Sequence, residues 1–410
     1  MSSTPPAPRV ALFTDSYAEA NGIARLSQAL EAYAARRDLP LLCVHTGATT
    51  RMVDHGCVKR LELRRGGAAF RLEHDLAFDP LLWRHYHIVK RAVQAFEPDV
   101  IHITGPSDVG QLGALLGHRE DIPMVGSWHT NLHQYAALRS SRWCGWLPAS
   151  LRVRALAAIE RHALTATLLF YRIPRVVLAP NQELVDLLAR RTSRPSHLMT
   201  HGVDTHLFAA EHRDRQGSEV RVGFVGRLSA EKQVRLLATL DRTLRATSST
   251  PSRLVIIGDG ADREWLQAHI PAAQFTGVLT GAALARAYAN LDLFVFPSKS
   301  ETFGLAVLEA MASGVPVLAM AHGGPRFVVQ HGVSGWLAND EDEFVNAAIA
   351  LVRDPALRMR LGAAGRAHAL AWSWDAVFDG VYETYAEAIP AVPPDAQGMP
   401  SDRVRAAVKW

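Results

Sequence analysis

The sequence predicts an α/β fold built from two doubly wound, Rossmann-like domains, and three observations carry that expectation. Short β-branched or Leu-rich runs alternate with helix-periodic stretches along most of the chain, the pattern of parallel sheets covered by helices on both faces. The series stops and restarts across the polar segment 209–219, AAEHRDRQGSE, which has the composition of a linker. The length, 410 residues, suits about two domains of ordinary size.

In chain order, the apolar runs of the first half are 10–13, 41–45, 100–103, 124–127, 176–179 and 197–200. The second half continues with 220–225, 254–257, 293–296, 315–319 and 336–338. Helical periodicity marks 151–170, 231–244, 282–289, 305–313 and 374–389. The expected organisation is a first domain at 1–208, a linker at 209–219 and a second domain at 220–373. A helix at 374–389 is expected to cross back to the first domain, with a flexible tail at 390–410. Two open sheets facing across a cleft would place ligands at the carboxyl ends of their strands.

Composition narrows the function classes. A chain that is 48% hydrophobic and 20% charged is neither fibrous nor largely disordered. No run approaches the ~20 apolar residues of a membrane span, and the polar, Pro-rich start lacks a signal core. Cys43, Cys57 and Cys144 are too scattered for a disulfide framework or a zinc knuckle, so the reducing cytoplasm is the expected compartment. Residues 1–200 carry a net charge of +7 and the remainder −3. Seven arginines between 122 and 182 face a single acid, Glu160, which favours an anionic partner or a lipid surface. Trp143 and Trp146 beside Arg142, ahead of the basic helix at 151–170, read as an interfacial anchor or as a packed loop. No nucleic-acid signature is present.

The chemistry concentrates in the second half. The segment from Pro297 to Pro316 runs from a buried strand through a loop with Glu301 into a helix starting near Gly304. Backbone N–H groups at Phe303, Gly304 and Leu305 would form an anion site. Glu301 and Glu309 can accept hydrogen bonds from two parts of a polyol. Gly226-Arg227 and Lys232 follow the first strand of this half, placing a fork donor and a point donor where a diphosphate could bind. A cation on a helix's first turn works against the macrodipole, which itself argues for a ligand. Gly258-Asp259-Gly260 and Phe275-Thr276-Gly277 end the next two strands, leaving room for a flat base.

Together, Gly226-Arg227…Lys232, Gly258-Asp259-Gly260, Glu301-x7-Glu309 and Gly323-Gly324 resemble glycosyltransferase family 4, retaining and metal-independent sugar transferases of GT-B architecture. The first half adds Thr14-Asp15-Ser16-Tyr17…Asn21-Gly22-Ile23, Ser127-Trp128-His129-Thr130-Asn131…Tyr135 and His201-Gly202-Val203-Asp204…Phe208. It is most similar to bacterial α-mannosyltransferases and to sulfoquinovosyl- and glucosyltransferases acting on lipids. The resemblance implies that Arg227 and Lys232 hold the donor diphosphate, that Glu301 orients the sugar and that Glu309 binds ribose. Thr302, Phe303, Gly304 and Leu305 would line the donor, and Gly22 would approach its phosphates. His129 would act at the reaction centre, with Tyr17, Thr130 and Tyr135 on the acceptor side. No cofactor or metal is implied. The donor would be of the GDP-mannose or UDP-glucose type, the acceptor a lipid or glycan, and the location the cytoplasm or the inner face of its membrane.

The sequence departs from the family pattern at Pro325-Arg326-Phe327, which lacks the usual acid, and at His201, which replaces Asn. The spacing of His129 and His133 also occurs in zinc helices, but no glutamate neighbours His129. A ligand-facing His129 with a solvated His133 is expected instead. A sugar-nucleotide epimerase of the same architecture and a non-catalytic nucleotide-sugar sensor are the alternatives. A dinucleotide oxidoreductase fits poorly, because neither half has a full Gly-x-Gly-x-x-Gly.

Overall fold

The computed structural model describes residues 7–19, 21–71, 77–143, 146 and 148–390. The expected tail therefore lies outside the described residues, apart from Pro390. Contacts divide the chain into two compact units. The first holds 1–129, 165–199 and 378–410, and the second holds 130–164 and 200–377. The helix Trp374–Ala388 contributes its first residues to the second unit and the rest to the first.

Strands of the first unit are β1 (Val10–Phe13), β2 (Leu41–Gly47), β3 (Arg51–His55), β4 (Val58–Arg64), β5 (Phe70–Arg71), β6 (Ala77–Phe78), β7 (Val100–Ile103), β8 (Met124–Ser127), β9 (Val176–Ala179) and β10 (Ser196–Leu198). Eight of them form one sheet in the order β10-β9-β8-β7-β1-β2-β4-β3, with β5 and β6 paired separately. Every neighbouring pair in the large sheet is parallel except β3 with β4. Phe13, Val44, Ile101 and Ile103 are fully buried in the core of this sheet, as strands covered on both faces require. Asn21, Ser107 and Asn181 cap the following helices through side-chain oxygens that accept from Ala24, Gly110 and Leu184 N–H groups.

The second unit carries β11 (Val220–Val225), β12 (Ser252–Ile257), β13 (Gln274–Gly277), β14 (Leu293–Phe296), β15 (Val317–Met320) and β16 (Trp336–Ala338). Their order is β13-β12-β11-β14-β15-β16, and all pairs are parallel. In each sheet the direction of strand addition reverses beside the first strand, β1 or β11. The carboxyl ends there form topological switch points, where open α/β sheets bind ligands.

Several sequence expectations shift. The strand expected at 315–319 begins at Val317, because Pro316 has no N–H to donate. The strand expected at 197–200 is Ser196–Leu198. The helix expected at 231–244 is Leu236–Thr247, preceded by a separate 3-10 turn, Ala230–Lys232. Gln233 follows that turn with a left-handed φ of 51°, which interrupts any continuous helix. Lys232 therefore does not sit on the helix's first turn, and the macrodipole argument for a ligand there falls away. The segment 209–219 is tied down by Arg213 and Arg215, which both pair with Asp292.

Candidate active site

In the second unit the switch point is built by two loops, one after β11 and one after β14. Lys232 and Glu301 form an ion pair whose side chains are 15% and 21% exposed. The same ammonium lies 5.7 Å from the centre of the Phe296 ring, a cation–π contact. Arg227 approaches Glu231 at 3.7 Å, and the Ser229 hydroxyl also bonds that carboxylate. Burial lowers the Arg227 pKa from its ordinary value, with Glu231 and Glu301 opposing the shift. Each predicted cation is thus held ready by a carboxylate. The main chain of Glu231 is anchored as well: its carbonyl accepts from the Ser300 hydroxyl at 3.0 Å and from Ser298 at 3.4 Å.

The helix Leu305–Ala312 begins where expected, after Gly304 at a left-handed φ of 99°. Its first N–H groups extend from the loop carrying Glu301, and the N-cap Gly304 has no side chain to cap them. Thr302 and Phe303 are buried, and Glu309 is only 3% exposed. Glu309 is therefore not a solvated surface glutamate. Phe303 stacks on His201 with ring centres 4.6 Å apart. Burial pulls the His201 imidazole pKa down to about 4, so it is neutral at ordinary pH.

Gly258 and Gly260 have a reason in the packing of the loops. A Cβ on Gly258 would lie 2.0 Å from the Gly226 carbonyl oxygen, and one on Gly260 2.4 Å from that of Leu228. These residues let the loops after β11 and β12 pack backbone to backbone. Gly323 and Gly324 do the same for the loop carrying Glu301. A Cβ on Gly324 would lie 2.3 Å from the Phe303 backbone, and the Gly324 N–H donates to the Glu301 carbonyl at 2.7 Å. Gly277 ends β13, where its carbonyl accepts from the Gly258 N–H at 2.8 Å, and Phe275 pairs in register with Ile256.

In the first unit, β1 ends in Thr14-Asp15-Ser16-Tyr17. The Tyr17 ring stacks on His45 at 4.3 Å, and its hydroxyl bonds Glu31 and accepts from Arg60 at 3.3 Å. Burial and Glu31 raise the phenol well above its usual pKa. Gly22 opens the helix Gly22–Arg36, and a Cβ there would meet nothing within 4 Å. Among the described residues, nothing within 4 Å requires glycine at that position.

His129 lies just beyond β8 and is 7% exposed; its Nε2 is 2.7 Å from the Ser127 hydroxyl. In the second unit, the Thr130 carbonyl accepts from Leu132 N–H, and Tyr135 belongs to the helix Leu132–Trp143. His133 is 8% exposed, which corrects the expectation of a solvated ring: burial lowers its pKa despite Glu160 nearby. Among the described residues no group of three or more His, Cys, Asp or Glu could hold a metal ion.

Sequence reasoning missed three groups. Asp15 accepts from the Thr104 hydroxyl at 3.0 Å, and burial raises its carboxyl pKa to about 6. Glu231 organises Arg227 and Ser229, yet reads in sequence as an ordinary charged turn residue. His102 is a fully buried histidine in the apolar strand VIHI. A polar side chain in such a strand needs a buried partner, and that was the available signal.

With this geometry in place, comparison fixes the class: the chain belongs to the glycosyltransferase family. Residues 20–207 match the model for Glycosyltransferase Family 4, and residues 219–354 match Glycosyl transferases group 1. It is 38% identical over 302 residues to a GDP-mannose-dependent alpha-mannosyltransferase of Mycolicibacterium smegmatis, covering 72% of this chain and 74% of that protein. It is 32% identical over 321 residues to a sulfoquinovosyl transferase of Arabidopsis thaliana, covering 72% and 58%. The fold is that of GT-B glycosyltransferases. Sucrose-phosphate synthase from Thermosynechococcus elongatus superimposes with a TM-score of 0.70 at 19% identity, over 93% of this chain and 98% of that one. The protein is an enzyme of sugar transfer that uses a nucleotide sugar; an epimerase or a sensor is not favoured.

Proposed function

We propose that the protein is a retaining mannosyltransferase that uses GDP-mannose and needs no metal ion, and that its acceptor is a lipid hydroxyl. The observation that carries this reading is the 38% identity, across most of both chains, to a GDP-mannose-dependent alpha-mannosyltransferase. The second-unit site supports it. Arg227 and Lys232 bind the diphosphate and stabilise the negative charge that grows as it leaves. Glu301 orients the mannose, and Glu309 accepts from the ribose hydroxyls. Phe303, Gly304 and Leu305 present N–H groups to sugar and phosphate. Glu301 is committed to Lys232 and is not the nucleophile. The acceptor hydroxyl attacks from the face the leaving group vacates, and a phosphate oxygen takes its proton. His129 acts at the reaction centre.

Membrane docking is the second part of the proposal. Trp146 is 82% exposed, and Leu151 and Val153 are 50% and 66% exposed beside exposed Arg152 and Arg154. Apolar and cationic side chains so interleaved suit the surface of an anionic bilayer. No helix among the described residues is long and apolar enough to cross a membrane.

The donor assignment is tested by thermal shift with GDP, GDP-mannose, UDP and UDP-glucose, because a ligand of the folded state raises the melting temperature. The guanosine compounds should stabilise the wild type. In Glu309→Gln their affinity should fall about 10-fold or more, as for loss of a charged hydrogen bond. Stabilisation by the uridine compounds alone would overturn the GDP-mannose reading.

A further inference from the structure

Four buried side chains of the first unit form a hydrogen-bonded chain that reaches His129. The Tyr385 hydroxyl, on the helix Trp374–Ala388, is 2.7 Å from His102 Nδ1 on β7. His102 Nε2 is 2.8 Å from the Ser127 hydroxyl on β8, and that hydroxyl is 2.7 Å from His129 Nε2. Tyr385, His102 and Ser127 are all fully buried. β7 and β8 are adjacent and parallel, with His102 opposite Val125, which fixes the spacing of the middle links.

Counting protons gives the chain a direction. Among the described residues the Tyr385 hydroxyl bonds only His102, and a buried hydroxyl proton left without an acceptor costs its full desolvation. Tyr385 therefore donates to His102 Nδ1. A neutral imidazole with an accepting Nδ1 carries its proton on Nε2, so His102 donates to the Ser127 oxygen. The Ser127 hydroxyl proton then has one remaining direction, toward His129 Nε2. Burial, with His129 nearby, lowers the His102 pKa to about 3, which keeps that ring neutral; burial also raises the Tyr385 phenol pKa, which keeps it protonated.

We propose that Tyr385, His102 and Ser127 are positioning residues that lock His129 in the tautomer bearing its proton on Nδ1. Nε2 then has its lone pair occupied by the Ser127 hydroxyl, and Nδ1 carries hydrogen. Neither nitrogen can take a proton from an acceptor hydroxyl, so His129 is not the general base of the reaction. This deepens the proposed role of His129 at the reaction centre and rests on it for its functional meaning.

The test reads the tautomer itself. Protein labelled with 15N-histidine is recorded by long-range 1H–15N correlation, with the His129 signals assigned by their absence in His129→Ala. The expected spectrum has a pyrrole-type Nδ1 and a pyridine-type Nε2; the reverse pattern would overturn the proposal. Tyr385→Phe removes one oxygen and Ser127→Ala another, and circular dichroism checks that each variant folds. Both should shift the His129 nitrogens toward an averaged tautomer. Unchanged nitrogens in both would remove the chain's role. The functional reading fails separately: wild-type GDP release from GDP-mannose by His129→Ala would refute the reaction-centre role and leave the tautomer result intact.

Discussion

Lys232→Met is the sharpest test of the donor site. The substitution keeps the aliphatic stem and removes the ammonium that pairs with Glu301 and faces Phe296. A partly exposed pair contributes at most about 1 kcal/mol to folding, so the melting temperature should barely move. Transfer should behave differently. Loss of one preorganised donor to developing charge costs about 2.7–4 kcal/mol, or roughly 100- to 1,000-fold in rate. The freed Glu301 carboxylate adds repulsion toward the diphosphate, which places the effect in the upper part of that range. Lys232→Arg keeps the charge and should retain more activity than Lys232→Met. The assay is GDP release from GDP-mannose in the presence of a membrane-lipid fraction supplying acceptor. A folded Lys232→Met enzyme within about threefold of wild type would refute the assignment of this ammonium to the leaving group.

Two other outcomes follow, one from each unit. Asp15 has its carboxyl pKa raised from 3.8 to about 6 in the fold, so the folded state favours the protonated acid. That contribution to stability is complete below pH 3.8 and is lost as pH rises through 6. Asp15→Asn should therefore be more stable than wild type at pH 8, by at most about 3 kcal/mol, with the gain shrinking toward pH 4. Denaturant melts at the two pH values check this, and an equal effect at both would contradict it. For the exposed Trp146, Leu151 and Val153 of the second unit, co-sedimentation with vesicles containing anionic phospholipid should exceed that with neutral vesicles. The excess should fall in Arg152→Glu/Arg154→Glu, and equal partitioning would count against docking.

Much of this architecture was legible because its central strands are unbroken apolar runs. VALF, VIHI and LFVF are buried at every position, and only strands covered on both faces read that way. The hairpin of β3 with β4 gave no such signal: RMVDH is exposed or half-buried along its length at the sheet edge. The late start of the helix Leu236–Thr247 was equally hidden, since the break is a glutamine in a conformation usually taken by glycine or asparagine. In the candidate site, Arg227, Lys232 and Glu301 stood out in the sequence, because charged residues near strand ends have few structural excuses. The Glu231 carboxylate beside Arg227, and the partnership of His102 with Tyr385, did not. Those two residues lie 283 positions apart, and nothing local in either segment names the other.

The discontinuity of the first unit has a consequence for biosynthesis. Its sheet emerges from the ribosome first, yet the hydroxyl that closes on His102 arrives only with residue 385, and Tyr33 also waits for Asp379. Residues 200–377, by contrast, supply the whole six-stranded sheet of the other unit from one uninterrupted stretch. The half translated earliest is thus the half finished last, and a ribosome stalled near codon 377 would display a completed carboxyl-terminal sheet beside an amino-terminal one still lacking its closing helix.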